Sequence, residues 1–405
     1  MSAQIEKIRD DFPALRQKFN GMPVIYFDNA CATLTPSCVV EAMRDYYYEY
    51  PGCYGRSAHK FSTKTDENCR EARKKIAGLI HAGQQEIVFL KNTTEGINLV
   101  ANSLGFKDGD VVLTTEMEHN SNFLPWRLLS KNKGVIHKLI PLKSDFSVDL
   151  EKFREMIDDR VKLVSVFYTS NVTGVTNPVK DIIDISHRHK ALTLLDAAQA
   201  VQHRAVDVKG LDADFIAFSA HKMLGPRGVG VLYGKSRLLD SLPQIIVGGD
   251  SAEDVTFNSF LPSKPPGKFE AGLQNYPGMI GSGVAADYLT RVGVDLISRQ
   301  EYRLNCLLTE EIKKIKNIIL IGPPEPDLRS NILNFIIEGM DSNEAARMLD
   351  ATSNIMVRPG MHCAHSWYNK EVVPPSIRLS FGFYNTEEEA RSFIKSLKEI
   401  IKYFS

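Results

Sequence analysis

Short apolar runs alternate with amphipathic segments along the chain from Val24 to about Gly249. The segments Gly96–Leu104 and Val179–His189 place their apolar residues at helical spacing. Alternating strands and helices of this kind predict a largely parallel sheet with helices on both faces. Functional residues in such a sheet gather at the carboxyl ends of its strands. The predicted strands are Glu86–Leu90, Val111–Thr115, Leu163–Tyr168, Ala191–Leu195, Phe215–Phe218 and Gly230–Tyr233.

The last third of the chain follows a different pattern. A polar, proline-rich stretch from Ser251 to Lys268 predicts a loop or a domain junction. Helical periodicity then runs from about Gly281 to Lys316, with a break near Gly293. Strands and helices of a smaller α+β unit follow. They are the predicted strands Ile318–Ile321, Ile332–Ile337, Ile355–Arg358 and Ser376–Phe381 and the predicted helices Asn343–Ala351 and Glu387–Phe404.

The length of 405 residues allows two hydrophobic cores. We expect a large α/β domain at residues 20–265 and a small α+β domain at residues 1–19 and 280–405. Within the small domain, a helix over Ala3–Phe19 is expected to pack against the C-terminal part.

Composition excludes several classes of partner. Forty-nine basic and 49 acidic residues balance, so no net field attracts nucleic acid or an anionic membrane. No apolar run approaches the ~20 residues of a membrane helix, and the charged N-terminus lacks the apolar core of a signal peptide. The six cysteines include no CxxC pair, which favours reduced thiols. We therefore expect a soluble cytoplasmic protein that binds neither nucleic acid nor membrane.

Two apolar runs end in residues that favour pyridoxal 5'-phosphate. One ends at Asp196, and the next ends in Ser219-Ala220-His221-Lys222. A carboxylate at a strand end can keep a pyridine nitrogen protonated, and a lysine can form a Schiff base with the cofactor aldehyde. Ser219 and His221 can hold the phosphate. Asp196 could also cap the helix that follows it, and the two roles are compatible.

Three further positions extend this hypothesis. Thr93 and Thr94 begin a helix, where free N–H groups and two hydroxyls form a phosphate site, although plain capping would also explain them. His119 follows a strand and could stack over the pyridine ring, although a lone turn histidine more often faces solvent. Gln199 lies about one turn after Asp196 and could reach the cofactor's phenolic oxygen.

Cys363 has the setting of a reactive thiol. His362 and His365 flank it in a loop and could lower its pKa, whereas an inert cysteine more often lies within an apolar run. We expect no metal there, because one cysteine and two close histidines lack a fourth ligand and the usual spacing. Arg378 alternates with apolar residues on a strand and could bind a substrate carboxylate or form a structural salt bridge. Cys31 is expected to line the cleft without doing chemistry.

Together these residues resemble a class V, fold type I pyridoxal phosphate enzyme, and within that class the group II, SufS-type cysteine desulfurases. The resemblance covers nearly the whole chain. It implies an α/β fold with a mainly parallel seven-stranded sheet and a smaller C-terminal domain. The motifs that carry it are Tyr26–Ala30, Arg56–His59, Thr93–Asn98, Glu118–His119, Ser170–Asn171, Asp196–Gln199, Ser219–Lys222, Phe269–Gly272, Arg358–Cys363 and Arg378.

The resemblance also implies residue roles. It makes Lys222 the Schiff-base lysine and Cys363 the sulfur acceptor, with His119 as the third catalytic residue. The implied cofactor ligands are Lys222, Asp196, Gln199, His119, Thr93, Thr94, Ser219 and His221, and the implied substrate ligands are Asn171, Arg378, Arg358 and His362.

The implied reaction converts L-cysteine to L-alanine and leaves a persulfide on Cys363, for iron–sulfur cluster assembly or thiolation. The alternatives are a selenocysteine lyase, a β-eliminating cysteine or cystine lyase, and a non-catalytic sulfur carrier. The family forms homodimers, so Arg56, His59 and the Gly272 region are expected to serve the neighbouring subunit. A sulfur-acceptor protein is the expected second partner.

The chain departs from the family pattern at three places. Leu273 replaces the threonine whose hydroxyl reaches the partner's phosphate. Met361 replaces the first histidine of the family's His-His-Cys, and Ala364-His365-Ser366-Trp367 replaces a proline-containing stretch. These differences change the expected surroundings of the thiol and of the phosphate.

Overall fold

The strands of this protein form one large sheet, one four-stranded sheet and three two-stranded pairs among the residues described. The computed structural model describes residues 2–404. In chain order the strands are β1 Lys18–Phe19, β2 Met22–Pro23, β3 Ile25–Tyr26, β4 Ile87–Leu90, β5 Val111–Thr115, β6 Ile136–Ile140, β7 Val161–Phe167, β8 Leu192–Asp196, β9 Phe215–Ser219, β10 Gly230–Gly234, β11 Ala252–Val255, β12 Phe260–Pro262, β13 Ile318–Ile321, β14 Ile332–Ile337, β15 Ile355–Met356, β16 Arg358–Gly360 and β17 Ser376–Ser380.

Helices separate most of these strands. In chain order they are α1 Ser2–Arg9, α2 Ser37–Glu49, α3 Lys60–Leu79, α4 Thr93–Ser103, α5 Leu124–Lys133, α6 Leu150–Met156, α7 Val179–Arg188, α8 Val208–Leu211, α9 Ser236–Ser241, α10 Tyr276–Val292, α11 Val294–Ile312, α12 Ser342–Ser353, α13 His365–Lys370 and α14 Glu387–Phe404. None of the helices in the described range is both long and apolar enough to cross a membrane.

The large sheet has the strand order β4-β10-β9-β8-β7-β5-β6. Strand β10 runs antiparallel to both neighbours, and the other pairs are parallel. This confirms the predicted mainly parallel, seven-stranded α/β fold. Strands β8 and β9 are apolar and almost fully buried, as expected for central strands covered by helices on both faces. Their carboxyl ends meet at one edge, where the candidate site lies.

The second sheet has the order β13-β14-β17-β16, and all its pairs are antiparallel. A separate core lies beneath it, with Leu333, Phe335 and Leu379 fully buried. Gly293 ends α10 with a φ of +84°, so the predicted helix break falls where a residue without a Cβ is favoured.

We propose the domain boundaries 20–265 and 1–19 with 280–405, because the seven-stranded and four-stranded sheets have separate cores. Phe12, Leu15 and the α10 residues Ala285 and Leu289 nevertheless pack in the core of the large domain. Strand β3 pairs in parallel with β15 and so ties the start of the large domain to the small one. The outermost residues of the small domain, Met1 and Ser405, lie outside the described residues.

Four local expectations were wrong. The Ser251–Lys268 loop contains the antiparallel hairpin β11–β12. The N-terminal helix ends at Arg9 rather than Phe19, where Arg9 pairs with Glu389 at 2.7 Å. The single strand predicted over Ile355–Arg358 is two short strands in different sheets. Strand β6 was not predicted, because its charged and polar positions weaken the apolar signal.

A buried ion pair joins α3, β4 and the segment before α10. The Arg73 guanidinium bonds the Glu270 carboxylate through two contacts of 2.8 Å, and both side chains are less than 10 % exposed. Glu270 also accepts from the Phe89 N–H at 2.7 Å, and Arg73 donates to the Ile87 carbonyl at 2.6 Å. The two charged groups therefore have protein hydrogen-bond partners in place of water.

Replacing Glu270 by Gln should destabilise the protein strongly, because it leaves the buried Arg73 charge without its partner. We expect a loss of about 3–5 kcal/mol in the free energy of unfolding, measured by urea titration. As a matched control, Glu155→Gln removes a carboxylate from an exposed pair with Lys152 and should change stability little. Equal effects of the two substitutions would contradict the prediction.

Candidate active site

A cavity of about 230 Å³ opens at the carboxyl edge of the large sheet. All thirteen candidate residues line it. They are Thr93, Thr94, His119, Asn171, Asp196, Gln199, Ser219, His221, Lys222, Arg358, His362, Cys363 and Arg378. Cys31 lines the cavity as well, as expected.

Parallel strand pairing brings these distant residues together. Asp196 is the last residue of β8 and Ser219 the last of β9, while Lys222 ends the 3₁₀ turn that follows β9. His119 and Asn171 lie in the segments after β5 and β7. Asn92, Ser121, Phe167 and Thr169 also line the cavity and were missed. Ser121, Phe167 and Thr169 lie at or just after the carboxyl ends of β5 and β7, and that position in the sequence could have identified them.

Asp196 and Lys222 are two ionisable groups in one desolvated site. Burial raises the pKa of Asp196, and the charge of Lys222 opposes that shift. Burial likewise lowers the pKa of Lys222 against the charge of Asp196. The Asp196 carboxylate accepts the Ala198 N–H at 3.0 Å, which favours its ionised form. Lys222 therefore loses its proton more easily than an exposed lysine.

His119 is held as a neutral imidazole. Its Nδ1 accepts the Ser121 N–H at 3.1 Å, so the neutral ring carries its proton on Nε2. Burial, with a contribution from the nearby Lys222 charge, lowers the pKa of His119 to about 3. A neutral ring can stack on an aromatic cofactor without adding positive charge to the site.

One end of the cavity is suited to an anion. The Ser219 Oγ accepts the Thr93 N–H at 2.8 Å and lies 2.6 Å from the Thr93 Oγ1. The Thr94 hydroxyl lies 2.8 Å from the Ser121 hydroxyl. These hydroxyls surround the start of α4, where the helix dipole favours negative charge. Burial and the charge of Lys222 lower the pKa of His221 to about 4, so His221 serves there as a neutral group.

Arg378 also lines the cavity. It is 2 % exposed, and it donates to the Asn171 carbonyl at 3.0 Å and to Asp28 at 3.4 Å. Within residues 2–404 its Nε has no hydrogen-bond partner. A buried donor without an acceptor costs about 1–3 kcal/mol, so this position favours an anionic ligand. The salt-bridge alternative is only partly met, because Asp28 contacts a single terminal nitrogen.

The Cys363 loop is held in an unusual backbone conformation. His362 and Cys363 have φ values of +48° and +58°, a region that costs energy for residues with a Cβ. Two hydrogen bonds of 2.7 Å anchor them, from the Asn171 amide to the His362 carbonyl and from the Asn120 N–H to the Cys363 carbonyl. The large domain therefore holds the thiol loop directly.

The cation beside the thiol is an arginine rather than a histidine. The Arg358 guanidinium lies 3.9 Å from the Cys363 Sγ. The expected His362 contribution fails, because burial and the charge of Arg378 hold the pKa of His362 well below its usual range. Its ring instead lies 3.0 Å from the Ser376 hydroxyl.

Three further expectations concern Gln199, which lines the cavity, and Arg56 and Leu273, which do not. Gln199 is buried and donates to the Ala30 carbonyl at 2.7 Å, which leaves its side-chain oxygen and one N–H for a ligand. Arg56 does not line the cavity but pairs with Asp250 on the surface at 2.5 Å. Leu273 is 64 % exposed and also lies outside the cavity.

Comparison with known proteins finds relatives that match almost the whole chain. The model of the family "Aminotransferase class-V" matches residues 25–393. The chain belongs to the class-V aminotransferase family. A cysteine desulfurase of Salmonella agona is 38 % identical over 408 residues, which cover 99 % of each chain.

Two solved structures of cysteine desulfurases match the whole fold. The apo structure of a cysteine desulfurase from Thermococcus onnurineus NA1 has a TM-score of 0.93 at 37 % identity, with 98 % of both chains covered. The cysteine desulfurase CsdA of Escherichia coli has a TM-score of 0.90 at 29 % identity, also with 98 % of both chains covered. Full-length similarity of both sequence and structure therefore indicates an enzyme of the cysteine desulfurase type.

We expect the His119 ring to stay neutral from pH 8 down to pH 5, since its pKa is about 3. The measurement is NMR of the apoprotein labelled with ¹³C at histidine, with the His119 signal assigned by its loss in His119→Gln. Its chemical shift should stay constant across this pH range. A titration midpoint between pH 6 and 7 would show that the ring is solvated.

Proposed function

We propose that this protein is a cysteine desulfurase that converts L-cysteine to L-alanine and leaves the sulfur on Cys363 as a persulfide. The observation that carries the proposal is that Lys222, Arg378 and Cys363 line one cavity. An amine that can move a proton, a site for a carboxylate and a thiol are the groups this reaction needs. The full-length relatives with the same name support it.

The residues present fit pyridoxal 5'-phosphate. Ser219, Thr93 and Thr94 at the start of α4 suit its phosphate, and Asp196 suits its ring nitrogen. His119 would stack on the ring, Gln199 would bond its phenolic oxygen, and Lys222 would bond its aldehyde. When bound, this cofactor supplies an electron sink for the charge left at the substrate Cα.

Binding and proton transfer fall to residues on two sides of the cavity. The free Nε of Arg378 and the remaining N–H of Asn171 would hold the substrate carboxylate, while Arg358 and His362 border the same space. Lys222, whose pKa is lowered by burial, would take the Cα proton as general base. Arg378 and Asn171 at the carboxylate and Lys222 at Cα would together fix the orientation of the substrate, so that the proton leaves from one face of Cα.

Sulfur transfer would be carried out by Cys363. Its Sγ, which lies 3.9 Å from the Arg358 guanidinium, would react as the thiolate, the nucleophilic form of a cysteine. As that thiolate attacks the substrate sulfur, an S–S bond forms and the C–S bond breaks. The electron pair of the C–S bond stays on the substrate carbon. Protonation of that carbon and return of a proton to the substrate Cα give alanine. A selenocysteine substrate would react at the same centre, and its better leaving group would make Cys363 less necessary.

Two partners and a location belong to this proposal. A second copy of the chain would cover the exposed apolar residues Ile246, Val247, Phe257 and Leu273, which belong to the β11–β12 hairpin and its surroundings. A sulfur-acceptor protein would take the persulfide, for iron–sulfur cluster assembly or thiolation. The balanced charge and the reduced cysteines support a cytoplasmic location.

The reaction is tested by product analysis with L-cysteine and a reductant. Wild type should release alanine and sulfide in equal amounts, and Cys363→Ala should lose at least about 99 % of this activity, since it removes the nucleophile. Cys306→Ala, a cysteine outside the cavity, is the control and should keep full activity. Pyruvate and ammonia formed equally by wild type and Cys363→Ala would identify a β-eliminating lyase instead.

The covalent link to the cofactor is tested separately from turnover. Borohydride reduction of the protein purified with pyridoxal 5'-phosphate should fix the cofactor on the peptide that contains Lys222, as read by mass spectrometry. Lys222→Ala should gain no mass there, because among residues 2–404 no other lysine lines the cavity. A colourless wild-type protein that borohydride does not modify would favour a non-catalytic sulfur carrier.

A further inference from the structure

Glu118 is a buried carboxylate next to His119 that the proposed reaction does not use. It is 0 % exposed and does not line the cavity. One oxygen, Oε1, accepts the Thr115 hydroxyl at 2.7 Å, the Phe167 N–H at 3.1 Å and the Thr115 N–H at 3.3 Å. The other, Oε2, accepts the Asn122 amide at 2.8 Å. The four donors favour the ionised form and so oppose the rise in the pKa of Glu118 that burial causes.

Asn122 continues this network away from the carboxylate. It too is fully buried, and its side-chain oxygen accepts the Trp126 indole N–H at 3.2 Å and the Ser165 hydroxyl at 2.5 Å. These contacts fix the orientation of the Asn122 amide, because its oxygen has two donors and its nitrogen has the carboxylate. The network ties the end of β5 to β7 and to α5.

The turn that carries His119 lies between these two anchors. Glu118 precedes His119 directly, and Asn122 ends the 3₁₀ turn Asn120–Asn122 that follows it. The same turn carries Ser121, whose N–H holds the His119 Nδ1. The position of the ring therefore depends on where Glu118 and Asn122 hold the ends of the turn.

The network also includes a residue of the cavity wall. Phe167, whose N–H bonds Glu118, lines the cavity and pairs in register with Asp196. In the proposed function, His119 and Asp196 contact the same cofactor ring. Glu118 therefore connects the turn that carries His119 to β7, which pairs with the strand β8 that carries Asp196.

We propose that Glu118 is a positioning residue: with Asn122, its carboxylate clamps the His119 turn onto β5 and β7 at the distance that stacking on the cofactor ring requires. This inference rests on the proposed function for its cofactor. It adds a residue that acts through His119 and touches neither cofactor nor substrate. Because Arg378 and Asn171 form no part of the network, substrate binding does not depend on it.

Glu118→Gln tests the clamp, because the introduced amide N–H₂ would face the Asn122 N–H₂. We expect the dissociation constant for pyridoxal 5'-phosphate to rise about tenfold or more, since small misplacements of a positioned group have effects of this size. The visible circular dichroism of the bound cofactor should weaken per cofactor bound. With L-cysteine, kcat should fall while KM changes less than about twofold.

The double variant E118Q/N122D supplies the rescue. The introduced amide then donates to a carboxylate at position 122, which can still accept from Trp126 and Ser165. Cofactor affinity and circular dichroism should return towards wild type. Thr115→Val removes the hydroxyl donor to Glu118 and keeps the carboxylate. It should change cofactor affinity and circular dichroism in the same direction as Glu118→Gln, but by a smaller amount. This variant replaces Glu118→Gln in the test if Glu118→Gln does not fold.

Glu301→Gln is the matched control, since Glu301 is a second buried carboxylate, paired with His203 at 2.9 Å outside the cavity. It should lower the thermal midpoint of the apoprotein without changing the circular dichroism of the bound cofactor. The proposal is overturned if Glu118→Gln binds the cofactor as wild type does, or if Glu301→Gln changes the dichroism equally. Failure of the rescue in a variant with wild-type thermal stability would also overturn it.

Cofactor affinity and circular dichroism are measured without turnover, so they separate this inference from the proposed reaction. If wild type makes no alanine from L-cysteine but Glu118→Gln still loses cofactor affinity and E118Q/N122D restores it, the clamp stands and the desulfurase proposal fails. If wild type makes alanine and Glu118→Gln also makes alanine with unchanged dichroism, the desulfurase proposal stands and the clamp fails.

Discussion

Parallel pairing of the central strands is the constraint on which the rest of this structure depends. Strands β5, β7, β8 and β9 are hydrogen-bonded with their carboxyl ends at one edge of the sheet. Residues that lie up to about a hundred positions apart in the chain are thereby placed around one cavity. The strands can be central because their side chains are apolar on both faces, which leaves polar chemistry to the ends.

Burial then sets the charge state of the groups that the strands deliver. The same loss of water lowers the pKa of Lys222 and His119 and raises that of Asp196. These opposite directions leave an amine that gives up its proton easily beside a neutral imidazole. Hydrogen bonds with fixed donors, such as the Ala198 N–H on Asp196, limit how far burial alone can move a carboxylate.

The small domain supplies the remaining side of the cavity through strand register. Arg358 on β16 pairs directly with Arg378 on β17, so two cations stand side by side where the loop to Cys363 begins. The large domain holds that loop through the Asn171 amide and the Asn120 N–H. The strained backbone at His362 and Cys363 persists because contacts from both domains determine it.

The amino-acid sequence by itself determined six of the seven strands of the large sheet, the helix break at Gly293 and the motifs around Asp196 and Lys222. These features are local: each depends on apolar periodicity or on the residue types at one strand end. Tertiary structure alone decided that Arg358 rather than His362 stands charged beside Cys363, and that residues 251–268 form a hairpin. It also decided the pairing of Glu118 with Asn122 and Phe167. Burial and contacts between distant segments govern these outcomes, and no local pattern in the chain records how deeply a side chain is buried or which distant donor faces it.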